Sequence, residues 1–317
     1  MSFRMLGTGM YVPERIVTND ELAGFVDTND EWITKRVGVR QRHIAQKETV
    51  ADMAYYAACR ALENSDCSAQ DLDLILVSTV SGDFSSPSVA CLLQKRLGVQ
   101  CMAYDINAAC SAFLFLLETA AGYFARGTVK KVLVVGAERL SRIVDWSDRS
   151  TCVIFGDGAG AAVLGTGDGY GKSVFHVQGD DEVIRIPHYA PESPFHTKSE
   201  ETPYIHMNGQ ETFKYAVNSI CRDIREVLDM AQIDGDAVKY IVPHQANSRI
   251  IDTAARRLGM PEEKFYMNID RYGNTSSASI PIALDELNRS GKLERGDTLL
   301  LTAFGGGLAS AACLLRW

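Results

Sequence analysis

Three residues of this sequence have the type and setting for acyl chemistry: Cys110, His244 and Asn274. Cys110 stands in Asp105-Ile-Asn-Ala-Ala-Cys110-Ser-Ala-Phe-Leu-Phe-Leu-Leu117, where a short strand turns through small residues into a strongly apolar helix. Unpaired N–H groups and the macrodipole at a helix N-terminus favour a thiolate, so the position predicts a nucleophile of lowered pKa exposed on a tight elbow. His244 follows the apolar strand Ile241-Val242 and Pro243. Such strand-to-helix junctions line the ligand crevices of α/β proteins, although a lone His more often caps a helix or meets a loop carbonyl. Histidines 43, 176, 188, 196 and 206 have no comparable setting. Asn274, in Arg271-Tyr-Gly-Asn274-Thr-Ser-Ser277, occupies a further turn, where helix capping is the alternative role. Cys, His and Asn together fit thioester or amide chemistry. Papain-type proteases share the order and a similar Cys-to-His separation, here 244 − 110 = 134, but the C-G-[SA]-C-[WY] context is absent.

Groups so far apart need a scaffold to bring them together. Short β-branched runs alternate with amphipathic stretches throughout, an α/β pattern. Strands are predicted over 72–80, 132–136, 160–164, 240–242 and 298–302, and helices over 51–64, 86–97, 111–125, 210–231, 245–258 and 279–289. Thr18 with Glu21 and Thr28 with Glu31 match capping boxes. The glycine-rich run 165–172 predicts a linker, dividing the chain into 1–167, with the nucleophile, and 168–317, with His244 and Asn274. The halves echo one another. Arg96-Leu97-Gly98 and Arg257-Leu258-Gly259 each close a helix, and a short strand, a small-residue turn, an apolar helix and another strand follow. The offsets are 258 − 97 = 161 and 299 − 132 = 167, as expected of one βα unit built twice.

Of the 317 residues, 46% are hydrophobic and 23% charged, and 32 Lys and Arg against 40 Asp and Glu give a net charge of −8. That balance argues against a general nucleic-acid or anionic-membrane binder but leaves room for a local basic patch. The opening Met1-Ser2-Phe3-Arg4 runs into Gly and Pro rather than an apolar secretory core. The most apolar stretch, 108–125, is broken by Ser111, Glu118 and Thr119, short of a membrane span. Eight cysteines without a C-x-x-C pair indicate neither a zinc site nor a disulfide framework and fit a reducing, cytoplasmic setting, most of them as small buried hydrophobes.

Two glycine motifs imitate nucleotide sites. Phe155-Gly-Asp-Gly-Ala-Gly160 has Ala161 and Val163 where the dinucleotide fingerprint needs its third glycine, and leads into a strand. Gly171-Lys172-Ser173 ends like a P-loop, but Thr166 replaces the earlier glycine. Both read as tight turns. Phe304-Gly305-Gly306-Gly307, directly after an apolar strand, is either a turn needing positive φ or bare backbone that aims N–H groups at a ligand.

Together, Ala-Ala-Cys110, Val-Pro-His244-Gln-Ala-Asn247, Tyr-Gly-Asn274-Thr-Ser and Ala-Phe-Gly-Gly-Gly307 resemble the β-ketoacyl-acyl-carrier-protein synthase III family of condensing enzymes. Asp27-Thr28-Asn-Asp-Glu-Trp32-Ile, the run from Arg139 to Arg149-Ser-Thr and residues 155–160 extend the likeness, which runs from about Gly7 to Trp317. The resemblance implies the thiolase fold, two duplicated halves in a five-layer αβαβα sandwich, usually as a homodimer. It implies the priming condensation of bacterial fatty-acid synthesis, without metal or cofactor, acyl-CoA being a substrate. Cys110 would carry the acyl group, while His244 and Asn274 would hold the thioester carbonyl of malonyl-acyl-carrier protein as CO2 leaves. The backbone N–H groups of Cys110 and Gly306 would form the oxyanion hole. Trp32 and Arg149 match an adenine sandwich, Thr28 and Arg36 contacts at the nucleotide end, and Gly209, Phe213, Ala246 and Asn247 a pantetheine channel. Lys214, Arg249, Arg256 and Arg257 match a docking patch for the acidic carrier protein. Arg249 and Arg256, seven apart, share a helix face.

The chain also departs from the family pattern. Ala112 replaces a usual Gly, Ser85 an aromatic before Pro-Ser, and Leu308-Ala-Ser-Ala311 the usual Phe-Thr-Trp-Gly; 191–203 also differ. In the family that aromatic helps shape the acyl pocket of the partner subunit, so Ser85 leaves primer size open. The alternative reading is a relative of specialised metabolism with another primer or acceptor. From other classes come a cysteine hydrolase and a silent partner subunit, the latter disfavoured by the presence of all three reactive residues.

Overall fold

Strands apolar at consecutive positions need cover on both faces, and this chain supplies it by stacking two sheets among three helical layers. The computed structural model describes residues 2–317 except 189–191, 193, 196 and 198–200. The first sheet contains β1 (Ser2–Tyr11), β2 (Leu74–Ser78), β3 (Met102–Ile106), β4 (Lys131–Arg139) and β5 (Asp157–Gly167), in the order β1-β5-β4-β2-β3. The second contains β6 (Tyr170–Asp180), β7 (Tyr240–Pro243), β8 (Thr298–Gly305) and β9 (Gly307–Arg316), in the order β6-β9-β8-β7. Pairing directions repeat as well: β2 and β4 are parallel, as are β7 and β8, and each later strand turns back antiparallel as β5 or β9. An isolated parallel bridge between Ile241 and Phe265 stands where β3 pairs with β2 in the first sheet.

Seven helices matter here: α1 (Asp30–Val37), α2 (Val50–Asn64), α3 (Val89–Leu97), α4 (Ala112–Ala125), α5 (Gly209–Ala231), α6 (Ser248–Leu258) and α7 (Ser279–Arg289). Side chains alternate along the strands with period two. Leu74, Leu76, Val132, Val134, Leu299 and Leu301 face the middle of the molecule and pack with α4 and α7. Ile75, Val77, Leu133 and Val135 face outward onto α2 and α3, and Leu300 and Phe304 onto α5 and α6. The layers are therefore α2/α3, sheet, α4/α7, sheet, α5/α6, the expected αβαβα sandwich. Because α4 lies between two sheets it buries Phe113, Leu114, Leu116, Leu117 and Ala120, which explains its strongly apolar sequence, with Glu118 at an exposed position.

Some local expectations are corrected. The predicted cap of α1 shifts by one residue: Asn29, not Thr28, accepts the Trp32 N–H at 2.8 Å, consistent with the stronger capping preference of Asn. Thr18 does cap its short helix, accepting from Glu21 N–H at 3.3 Å, but the Glu21 carboxylate pairs with Arg15. The 165–172 run is no loose linker, since β5 continues to Gly167 and β6 begins at Tyr170, leaving Asp168 and Gly169 as the turn between the sheets. Gly171-Lys172-Ser173 consequently lies within a strand, and β5 itself begins at Asp157, inside the other glycine motif. Of the eight cysteines, all free, only Cys152, Cys221 and Cys313 are fully buried. The stretch 191–203 falls largely outside the described residues, as does His196.

Candidate active site

Two turns, one from each repeat, lie at Cys110 and Asn274, and they are built alike. After β3 the chain enters a 3-10 turn, Ala109–Ser111, and then α4. Ahead of α7 it enters the turn Ser276–Ala278. Each turn opens on a non-glycine residue in the left-handed region, Ala109 at φ 46° and Ser276 at φ 48°. Their separation, 276 − 109 = 167, equals the offset read between strands 132 and 299. Such conformations cost on the order of 1–3 kcal/mol each and persist where surrounding structure over-determines them. Here they flank Cys110 and Asn274.

Cys110 lies half-buried beside the end of β8. A Cβ on Gly305 would stand 2.8 Å from the Cys110 backbone nitrogen, so only glycine lets this strand approach so closely. The thiol does not have the lowered pKa that its place before a helix predicts. Burial pushes it up to about 11; the Ser276 hydroxyl acts in the opposite direction and the charge of Glu138 adds to the rise. Cys110 is therefore a thiol rather than a thiolate at neutral pH.

His244 leaves β7 with 1% of its surface exposed. Its Nδ1 is 2.7 Å from Ser279 Oγ, and that oxygen accepts the Gln245 N–H at 3.3 Å. Phe304 packs against the imidazole with ring centroids 5.5 Å apart. Desolvation drives the His244 pKa down to about 3, leaving the ring neutral. Asn274 is buried too, and its Oδ1 accepts the Ser276 N–H at 2.8 Å. That bond orients the amide with its NH2 as the donor end.

One cavity of about 780 Å³ joins these groups to the surface. Cys110, His244, Asn274 and Gly306 line it together with Trp32, Arg36, Arg149, Gly209, Phe213, Lys214, Ala246, Asn247 and Arg249. The Arg149 guanidinium sits 5.2 Å over the Trp32 ring and donates to the Asp27 carbonyl at 2.8 Å. Arg249 lies 5.8 Å over Phe213, and Lys214 pairs with Glu211 at 2.8 Å. Asn247 uses its Oδ1 to cap α6 and donates to the Arg36 carbonyl at 3.3 Å. Thr28, Arg256 and Arg257 do not line the cavity. Arg256 and Arg257 are exposed at the end of α6, and Arg257 donates to Asn218 at 2.9 Å.

Sequence reasoning missed two residues beside His244 and Cys110. Ser279 opens α7 and gave no signal beyond its place in a small-residue turn. Glu138, near the end of β4, is fully buried behind Cys110. Its carboxyl accepts from Val80 N–H at 3.1 Å, Ser81 Oγ at 2.5 Å and Ser277 Oγ at 3.2 Å. Even so, burial pushes its pKa up to about 7.

The comparisons with known proteins agree with this architecture. Residues 104–181 match the family described as 3-oxoacyl-[acyl-carrier-protein] synthase III, and residues 228–317 its C-terminal counterpart. A β-ketoacyl-[acyl-carrier-protein] synthase III of Xylella fastidiosa is 48% identical over 99% of this chain and 98% of its own. The crystal structure of the Aquifex aeolicus 3-oxoacyl-[acyl-carrier-protein] synthase III superposes with a TM-score of 0.92 at 44% identity, covering 99% of this chain and all of that one. The priming β-ketosynthase of the R1128 polyketide pathway superposes at 0.90 with 36% identity, over 99% and 96% of the two chains. With identity of this order along nearly its whole length, the chain belongs to the β-ketoacyl-acyl-carrier-protein synthase III family.

Proposed function

We propose that this condensing acyltransferase primes fatty-acid synthesis at the cavity beneath Trp32 and Arg149, with Cys110 as nucleophile and His244 and Asn274 as enolate-binding donors. The observation that carries this reading is the meeting of a desolvated thiol with two neutral N–H donors from the other repeat. Cys110 Sγ attacks the thioester carbon of a short acyl-CoA. The sulfur–carbon bond to CoA breaks, and the thiol proton leaves with the CoA sulfur. The malonyl group of malonyl-acyl-carrier protein then loses CO2, and the electron pair left behind becomes an enolate. That oxyanion accepts hydrogen bonds from His244 Nε2 and the Asn274 amide. The Ser279 hydroxyl donates to Nδ1 and so keeps the proton on Nε2. The enolate carbon attacks the acyl carbonyl, whose oxygen is held by the backbone N–H groups of Cys110 and Gly306, and Cys110 departs and regains a proton. Fixed donors of this kind are worth roughly 2.7–4 kcal/mol each in the transition state.

Acyl-CoA enters as substrate and not cofactor, its adenine between Trp32 and Arg149, its nucleotide end toward Thr28 and Arg36, and its pantetheine along Gly209, Phe213, Ala246 and Asn247. Lys214, Arg249, Arg256 and Arg257 dock the acidic carrier protein; they supply the local basic face that a chain of net charge −8 needs. The passage from β5 to β6 supports a division at 167/168, with the nucleophile and its two donors in different halves. The open edge at β3, where Met102 is 46% exposed, supports a homodimer formed by strand addition. Eight free cysteines fit a cytoplasmic setting, and no helix among the described residues is long and apolar enough to cross a membrane. A hydrolase is disfavoured by His244, because an imidazole neutral to about pH 3 is a poor base for water.

Intact-mass measurement with peptide mapping after exposure to a panel of acyl-CoAs tests the reading. We expect one acyl adduct on Cys110, discharged only when malonyl-acyl-carrier protein is added, with its preferred length naming the primer. A missing adduct across the panel refutes the assignment. Turnover without the malonyl carrier indicates a hydrolase, and condensation with CoA-linked malonate alone indicates the specialised-metabolism reading.

A further inference from the structure

Outside the lining of the cavity, α5 and β6 bring together three side chains whose chemistry the proposed condensation does not use. We propose that His176, Asp223 and Glu226 form a binding site for one divalent transition-metal ion of the zinc class. Asp223 and Glu226 are three apart on α5 and share a face, and His176 reaches them from β6. His176 Nε2 is 2.9 Å from Glu226 Oε2 and 3.6 Å from Asp223 Oδ1. One ligand atom from each residue lies within 4.8 Å of the others. Tetrahedral zinc with bonds of about 2.1 Å has ligand-to-ligand edges of roughly 3.4 Å, which fit within that 4.8 Å span.

A second observation comes from Asp223 itself. The residue is fully buried, yet its Oδ2 has no hydrogen-bond donor, an unfavourable state for a carboxylate oxygen that a cation relieves. Oδ1 is already occupied by Arg222 Nε at 2.8 Å, and Arg222 is held in place by its Nη2 donating to buried Ser310 at 2.8 Å. Ser310 faces His176 across the β9–β6 ladder, so the four residues belong to one polar group. Two carboxylates and a neutral imidazole balance a 2+ ion, with the Arg222 charge as the opposing influence. The imidazole selects zinc-type ions over magnesium or calcium. The ion ties the edge strand β6 to the helix that begins at Gly209 and carries Phe213, so its effect falls on stability rather than on chemistry.

The test uses the full-length chain, stripped with a chelator and titrated with cobalt(II) and then zinc(II). We expect one ion per chain, a cobalt spectrum without thiolate charge-transfer bands, and a higher thermal midpoint with zinc but not with magnesium. His176→Ala and Glu226→Gln should each weaken binding at least about tenfold, since loss even of an outer partner of a metal ligand costs that much. Acylation of Cys110 should stay at the wild-type rate in both. Glu226 is part-exposed, so the Gln variant preserves the test if the Ala variant folds poorly. Absence of stoichiometric binding, thiolate bands in the cobalt spectrum, or unchanged affinity in both variants overturns the site.

Discussion

Replacing Glu138 by Gln isolates the buried carboxyl behind the nucleophile. In the folded chain its pKa is pushed from 4.5 to about 7 by burial. Below pH 4.5 both folded and unfolded chains hold the proton. Between 4.5 and 7 the unfolded chain releases it while the folded chain keeps it, so stability falls as pH rises through that window. At 1.36 kcal/mol per unit, the 2.5-unit separation amounts to about 3 kcal/mol, fully lost by about pH 8. Glutamine is nearly isosteric and cannot titrate. The amide oxygen can still accept from Val80 N–H, and the serine hydroxyls that now donate can rotate to accept. Any change in those bonds adds a constant offset, leaving the slope intact. Urea unfolding of wild type and Glu138→Gln should therefore be compared at half-unit steps from pH 4.5 to 8.5, taking the difference in unfolding free energy at each step so that other titrations cancel. The wild type should lose about 3 kcal/mol relative to the variant over the series, at up to about 1.4 kcal/mol per pH unit. Because Glu138 also raises the Cys110 pKa, the variant thiol should alkylate faster at pH 8. A difference flat to within about 0.5 kcal/mol would show that Glu138 is already ionised at pH 5 and refute the reasoning.

Three further outcomes follow from the same geometry. His244→Ala should slow decarboxylation of malonyl-acyl-carrier protein by about 10²–10³ while leaving Cys110 acylation near the wild-type rate, and single-turnover measurements of each half-reaction separate the two. With His244 neutral down to about pH 3, wild-type decarboxylation should show no loss from imidazole protonation between pH 5 and 8; a fall centred near 6.5 would contradict it. Arg249→Glu should raise KM for the carrier-linked substrate several-fold, more at low salt, with acylation by acyl-CoA unchanged; if both steps fell together, the docking role would be wrong.

How far the sequence was legible depended on which force decided each feature. The strands at 132–136 and 298–302 and the helices at 51–64 and 279–289 were visible because burial on two faces leaves long apolar runs and burial on one leaves a helical period. The duplication was visible in a 167-residue offset that reappears in the left-handed residues Ala109 and Ser276. What stayed hidden was set by neighbours distant in sequence. The strands β1 and β9 have few turn signals of their own and are defined by their partners β5 and β8. Glu138 and Ser279 carry no motif, since their importance comes from the loops that fold over them. The lowered pKa expected for Cys110 failed for the same reason: a helix N-terminus is a local feature, whereas burial against β8, nearly two hundred residues on, is not.

That failure bears on the chemistry, because desolvation acts in one sense on every titratable group at the cavity floor. The Cys110 thiol is pushed up, the His244 imidazole down and the Glu138 carboxyl up, so each is held toward its uncharged form. A thiol and an imidazole without standing charge, beside a carboxyl only half ionised near pH 7, suit the proposed reaction, whose thiolate and enolate exist only between steps. Fixed N–H dipoles stabilise those species in place without first having to release a counterion. The cations stand instead at the mouth, where Arg36, Arg149, Lys214 and Arg249 remain exposed. On the proposed reading, phosphate and carrier-protein charge are met at the exposed rim and the acyl group in the buried interior. A charged residue moved from mouth to floor, as in Phe304→Arg, should disturb the three shifted groups at once while leaving CoA binding at the rim.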